Sequence, residues 1–298
     1  MEFLHFLAQH RSPGGELFFQ GVTYLAQDVI VIAIICWLFW CSNKRLAYAL
    51  GFAYFTSGLM VQGLKITFRI DRPWILDPSF SPVASAVPGA TGYSFPSGHT
   101  QSITALFGTL FLVSKKAVSR LLCTLIILLV AFSRMYLGCH TPADVGTSLV
   151  LTMLFVLITW ALFYRRDWIS GREGMLSVLM ALASVGLCIY AASLYGAQVI
   201  DLSYAQDCFK ASGAGAAFAL GFYVERRFIR FQIPTERNQK LARLLFGLLV
   251  ALLIQEGLKP LIGTSLPASF FRYFLVVIWV LILYPLLFTY ISRKKRTK

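Results

Sequence analysis

Apolar runs of membrane-spanning length recur along this chain of 298 residues. About 20 apolar residues are what an α-helix needs to cross a bilayer. In lipid every backbone N–H and C=O must find its partner inside the protein, so only helices or a closed barrel can span, and runs this long select helices. They fall at about 17–40, 46–64, 97–114, 118–137, 142–164, 174–196, 211–225, 241–262 and 270–291. The expected fold class is therefore all-α, a polytopic membrane helical bundle of about nine transmembrane helices. Only 13% of the residues are charged, against about 25% in soluble domains. The first run lacks a basic lead and a small-residue cleavage site, so no cleavable signal peptide is expected.

The net charge of +14 does not point to nucleic acid, because the basic residues sit in short loops between apolar runs and no aromatic–basic module is present. With nine spans, 19 of the 27 Lys and Arg residues fall on one side. They include Lys44, Arg45, Lys115, Lys116, Arg120, Arg165, Arg166, Arg172, the loop 226–243 and the tail. The other side holds Arg11, Lys65, Arg69, Arg72, Arg134, Lys210, Lys259 and Arg272. The positive-inside rule then sets the N-terminus outside and the C-terminus in the cytoplasm. Segment 65–96 and the region 134–140 share the outer face.

Three stretches carry chemistry. In 133–144, S-R-M-Y-L-G-C-H-T-P-A-D, His140 and Asp144 are four apart, a spacing that brings both side chains to one face of a helix entered at Pro142. A carboxylate beside an imidazole fixes its tautomer and leaves the other nitrogen free to attack. Arg134 offers a fork of donors suited to phosphate. In 65–73, K-I-T-F-R-I-D-R-P, Lys65 and Arg72 are seven apart, two helical turns, and are expected to project the same way. Basic residues at a span end commonly just snorkel, but this side otherwise avoids positive charge. In 93–102, Y-S-F-P-S-G-H-T-Q-S, Pro96 can open a helix. Ser97, Gly98 and His99 would then offer N–H groups at a positive helix terminus. Read alone, that stretch is equally a capping turn with an interfacial histidine.

Together the blocks read K-x6-RP, PSGH and SR-x5-H-x3-D, in that order. In this the sequence resembles the type 2 phosphatidic acid phosphatase superfamily of membrane phosphatases, whose fold core is shared with vanadium haloperoxidases and bacterial acid phosphatases. The resemblance rests on Lys65, Arg72, Pro73, Pro96, Ser97, Gly98, His99, Ser133, Arg134, His140 and Asp144. It implies that His140 attacks phosphorus and forms a phosphohistidine, that Asp144 orients it, and that His99 protonates the leaving oxygen and then activates water. Lys65, Arg72, Ser97, Gly98 and Arg134 would hold the phosphoryl oxygens. No cofactor and no metal is implied. Arg69, Asp71 and Ser133 are supporting candidates, with surface or capping roles as the alternative.

The expected domain organisation is a phosphatase core over 1–170 carrying every motif and C-terminal membrane helices over 171–298 that carry none. The expected function is hydrolysis of a lipid phosphate or polyprenyl diphosphate at the outer face of a membrane, with a bacterial plasma membrane fitting the compact chain. A membrane lipid is the expected partner. Alternatives are a phosphotransferase, a soluble sugar-phosphate phosphatase of the same family, and a catalytically silent lipid-binding or translocating protein. The six cysteines show neither CxxC nor metal spacing, and Cys139 is read as a spectator beside His140. Gly213, Ala217 and Gly221 recur every four residues, as in close intrachain helix packing. Glu256 and Lys259 are expected to pair with each other.

Overall fold

A computed structural model of the chain describes residues 1–165 and 169–296, with side chains to 291. Arg166 and Lys298 lie outside the described residues, and of the basic tail no side chain is described. Among the described residues the fold is all-helical. The helices are α1 (Glu2–Gln9), α2 (Pro13–Tyr24), α3 (Asp28–Trp37), α4 (Lys44–Phe68), α5 (Pro73–Leu76), α6 (Gly98–Val113), α7 (Ala117–Tyr136), α8 (Pro142–Trp160), α9 (Glu173–Gly196), α10 (Leu202–Val224), α11 (Arg237–Gly257), α12 (Lys259–Ile262), α13 (Leu266–Ile278) and α14 (Tyr284–Arg296).

Among the described residues five helical stretches are long and apolar enough to cross a membrane: Ala117–Tyr136, Pro142–Arg165, Glu173–Gly196, Arg237–Ile262 and Leu266–Ile291. A sixth arises if Pro13–Tyr24 and Asp28–Ser42, bent by 41°, form one broken span. This is fewer than the nine expected. Helices do occupy the other three positions, but α6 has only 16 residues, and α4 and α10 are rich in small and polar side chains. The long helices present apolar stripes to their surroundings. Leu121, Leu125 and Leu128 on α7, Leu182, Val185 and Ile189 on α9, and Leu245, Leu249 and Leu252 on α11 are all exposed. Apolar surface on that scale is the mark of a chain whose solvent is lipid.

The chain divides into two compact units. The first comprises Met1–Ile32 and Phe52–Arg165. Here α6 packs against both α7 and α8, and α2 lies along α7. Val22, Ala26, Ile103 and Val130 make a buried cluster joining α2, α6 and α7. A polar seam fixes α6 against α4: Gln101 Nε2 donates to Ser57 Oγ at 2.8 Å and to the Tyr54 carbonyl at 3.0 Å. The second unit comprises Ala33–Gly51 and Arg166–Lys298. Its centre is α10, flanked by α9 and α13. The small-residue ridge of α10 packs within the chain, as expected: a side chain at Gly213 would overlap the Phe270 backbone, and one at Gly221 would meet Leu281. In the same unit buried Glu225 accepts from Lys44 and Tyr48.

Candidate active site

Every residue singled out by the three motif stretches lies in the first unit, on elements whose ends are fixed by local chemistry. Ser97 caps α6, its side chain accepting from the Thr100 N–H. Thr141 and Asp144 form a capping box at the start of α8, with Pro142 in the first turn. The two helix starts are joined directly. The Ser97 N–H donates to the Asp144 carbonyl at 3.2 Å, and Ser148 Oγ donates to the Ser97 carbonyl at 2.7 Å. Two helix N-termini thus face one region, and the first-turn N–H groups of Gly98 and His99 are those a helix leaves unpaired. A side chain at Gly98 would meet nothing within 4 Å, so the backbone there is open to a ligand.

Lys65 and Arg72 converge, but not along a helix face as their spacing predicts. Helix α4 stops at Phe68, and Arg69 follows in a left-handed conformation at φ 50°. Arg72 is extended, at φ −68° and ψ 151°, because the following Pro73 disfavours helical backbone in the residue before it. Both side chains reach the same strip of chain instead. Lys65 Nζ donates to the Tyr93 carbonyl at 2.6 Å. Arg72 donates through Nε to the Gly92 carbonyl at 3.0 Å and through Nη2 to the Thr91 carbonyl at 2.6 Å. Its Nη1 donates to the Cys139 carbonyl at 3.0 Å.

That same Nη1 lies 2.9 Å from His140 Nε2. A guanidinium only donates, so Nε2 is the acceptor and the proton of the neutral ring sits on Nδ1. Burial, then the positive charges of Arg72, Arg134 and Lys65, holds the His140 imidazole well below its ordinary pKa. Nδ1 is 3.5 Å from Asp144 Oδ2 and 3.5 Å from Ser94 Oγ. The carboxylate is bound more tightly elsewhere: Oδ2 accepts from Ser94 Oγ at 2.6 Å and from the Thr141 N–H at 2.8 Å. Asp144 therefore stands behind the imidazole at 3.5 Å, and Ser94 shares the position. The hydroxyl lay unremarked in the 93–102 stretch, and only its burial beside Asp144 gives it away.

Arg134 is 2% exposed. Its Nη1 donates to Thr23 Oγ1 on α2 at 2.9 Å, while Nε and Nη2 are buried without a hydrogen-bond partner among the described residues. An unsatisfied buried guanidinium is costly and calls for an anion. Gly138, at φ 77°, turns the chain between Arg134 and His140. Arg11 braces that turn, donating through Nε to the Tyr136 carbonyl at 2.9 Å and through Nη1 to the Ser81 carbonyl. Nothing in the sequence marks either Arg11 or Thr23 for the site: Arg11 counts only among the loop charges, and Thr23 lies within the first apolar run. His99 is partly buried at the start of α6. Ser133 is buried and donates to the Val130 carbonyl within its own helix, a structural bond. Arg69 is exposed. Cys139 is buried among Val83, Ala86 and Leu137, a core position.

Known proteins share this plan. The PAP2 superfamily matches residues 45–168, and the transmembrane extension of PAP2 superfamily phosphatases matches residues 209–296. Lipid phosphate phosphatase delta of Arabidopsis thaliana is 25% identical over 193 residues, 59% of this chain and 45% of that protein. The match thus spans less than half of the relative's length. No solved structure matches. The ordered motifs and two matched stretches that together cover more than half of its length show that this chain belongs to the PAP2 superfamily.

Proposed function

We propose that the protein is a membrane phosphatase that hydrolyses a lipid phosphate or polyprenyl diphosphate through a phosphohistidine on His140. The observation that carries this reading is the accepting Nε2 of His140, 2.9 Å from Arg72 Nη1, with two buried nitrogens of Arg134 that have no hydrogen-bond partner among the described residues. A phosphoryl group taking over the Arg72 contact would accept that N–H through oxygen and meet Nε2 through phosphorus. Lys65, Arg134, Ser97 and the Gly98 backbone would share the remaining oxygens and the charge that develops on them. Asp144, with Ser94, would stabilise the cationic ring as it forms. His99, at the start of α6, would protonate the leaving oxygen and afterwards activate water.

A lipid substrate is supported by the surroundings of the basic residues. Phe68, Ile70, Ile75 and Leu76 bracket Arg72 in sequence and are all exposed, the arrangement that admits a charged head while its tails stay in the bilayer. The Arabidopsis relative is named for lipid phosphates. The outward orientation is supported by the loop charges, with α4, α6 and α10 as additional spans beside the six candidates, giving nine. On this reading 1–170 holds the chemistry and 171–298 consists of membrane helices without an assigned role, and a bacterial plasma membrane accommodates both.

The test is phosphate release by the purified protein in mixed micelles with chelator present. Undecaprenyl diphosphate, phosphatidate and glucose 6-phosphate are offered side by side, with His140→Ala as control. Rapid quench into alkaline detergent, with substrate labelled in its phosphoryl group, should trap an acid-labile, base-stable adduct on the unsubstituted protein alone. Release that persists in His140→Ala would overturn the nucleophile, and preference for the sugar phosphate would overturn the lipid assignment.

A further inference from the structure

The second unit holds a cavity of about 230 Å³. Lys210 of α10, Gln255 and Glu256 of α11, Lys259 of α12, and Ser269 and Arg272 of α13 are among the residues that line it. Its basic residues are not topology signals. All three belong to the eight that the loop-charge count assigns to the sparser side, so another reason keeps them there. Arg272 is only 5% exposed and Ser269 only 1%. Arg272 Nε and Ser269 Oγ are buried with no hydrogen-bond partner among the described residues. Lys210 is held by Asp207 at 2.8 Å, whereas no ion pair joins Glu256 to Lys259 among the described residues, contrary to the pairing their spacing predicts.

A buried guanidinium with an open N–H, the ammonium of Lys259, a second ammonium on Lys210 already paired with Asp207, and a free hydroxyl, against the lining carboxylate of Glu256, make a receptor for a compact oxyanion. Exposed Leu252, Leu253, Leu261 and Phe271 lie on the same helices as the charged residues. Charged donors beside lipid-facing apolar side chains are the pattern that seats an anionic head group. We propose that this cavity binds a phosphate group, Arg272 and Ser269 holding its oxygens from within and Lys210 and Lys259 closing over it. The same chemistry would accept a phospholipid head group or free inorganic phosphate, and the cavity uses none of the motif residues of the first unit.

The test uses the full chain in a His140→Ala background, so that a phosphate ester is not consumed. It is reconstituted in phosphatidylcholine nanodiscs, and bound copies of phosphatidate are counted by native mass spectrometry. Arg272→Gln and Lys259→Gln are compared with their parent, the exposed Lys259 guarding against loss of fold in the buried variant. One class of phosphatidate sites should weaken at least ~10-fold in each variant while the other class is unchanged. A parallel titration with inorganic phosphate separates the sources. If free phosphate loses a site in the variants, the occupant is the ion. If only phosphatidate does, it is the head group. Equal binding of both probes by parent and variants, or equal retention of phosphatidylcholine, would overturn the proposal.

Discussion

Ser94 donates its hydroxyl to the Asp144 carboxylate at 2.6 Å, a shorter contact than the 3.5 Å between that carboxylate and the His140 ring. The serine thus fixes the group that stands behind the imidazole. Losing a buried hydrogen bond to a charged acceptor costs about 1–3 kcal/mol, and about 1.4 kcal/mol of barrier is a factor of ten in rate. Ser94→Ala should therefore lower kcat by roughly 10- to 100-fold while KM changes little. Ser94→Thr, which keeps the hydroxyl, should recover part of the rate. A change in KM alone would contradict a positioning role.

Arg134 should show opposite effects on activity and stability. Its two nitrogens without a partner among the described residues are idle in the folded chain but would meet the developing charge of a phosphoryl group. Arg134→Lys removes the planar fork and should reduce kcat by about 100- to 1000-fold, the scale of losing a preorganised donor. Arg134→Met, which also removes the uncompensated buried charge, should hold or raise the thermal midpoint. Activity and melting measured on one preparation check both halves.

The pH dependence follows from the neutral His140 ring. Burial and the neighbouring cations depress its pKa in the folded protein, so the neutral ring that the proposed attack requires survives below the ordinary value of about 6.5. The acid limb of kcat/KM that reports His140 should lie below that value. Arg72→Gln, which removes one of those charges, should shift the limb upward. Stability follows the same sign: the contribution is complete above the unfolded value and is lost as pH falls from there toward the folded one. An acid limb unmoved in Arg72→Gln would count against this origin.

Gly138 permits the turn that carries His140. At φ 77° a side chain costs about 1–2 kcal/mol, and a Cβ would also approach Arg11 Nη2 and Phe80 to 2.8 Å. Gly138→Ala should lower both the thermal midpoint and kcat. Full activity with unchanged melting would contradict the bracing of this turn by Arg11.

In the second unit, Gly213→Ala forces a methyl into the Phe270 carbonyl and should destabilise by about 1–3 kcal/mol, as overpacking does. Gly186→Ala, on α9 where nothing lies within 4 Å, should be neutral or slightly stabilising. Denaturation in matched detergent compares them.

Much of the site could be read from the sequence because its parts sit on short segments with strong local rules. Pro96 with Ser97, and Thr141 with Pro142, announce helix starts, and these starts carry Gly98, His99 and Asp144. The convergence of Lys65 and Arg72 was also legible, though its geometry was not, since residue spacing assumes a helix that Arg69 ends and Pro73 forbids. Ser94, Thr23 and Arg11 escaped because each acts on a partner at least 50 residues away in the chain, and such pairings leave no periodic trace. Hydropathy alone leaves the number of spans open for another reason. Helices such as α4 and α10 trade apolar bulk for small and polar residues that pack on neighbours, and hydropathy cannot tell that from a helix outside the bilayer.

The bond from Arg134 to Thr23 has one more consequence. The PAP2 match begins at residue 45, so Thr23, and Arg11 with it, lies upstream of the matched stretch. A fragment cut to the matched stretch would keep all three motifs and lose the hydroxyl that holds Arg134 and the guanidinium that steadies the turn before His140. Sequence similarity and hydrogen bonding draw the edge of this site at different places, and an engineer should cut at the second.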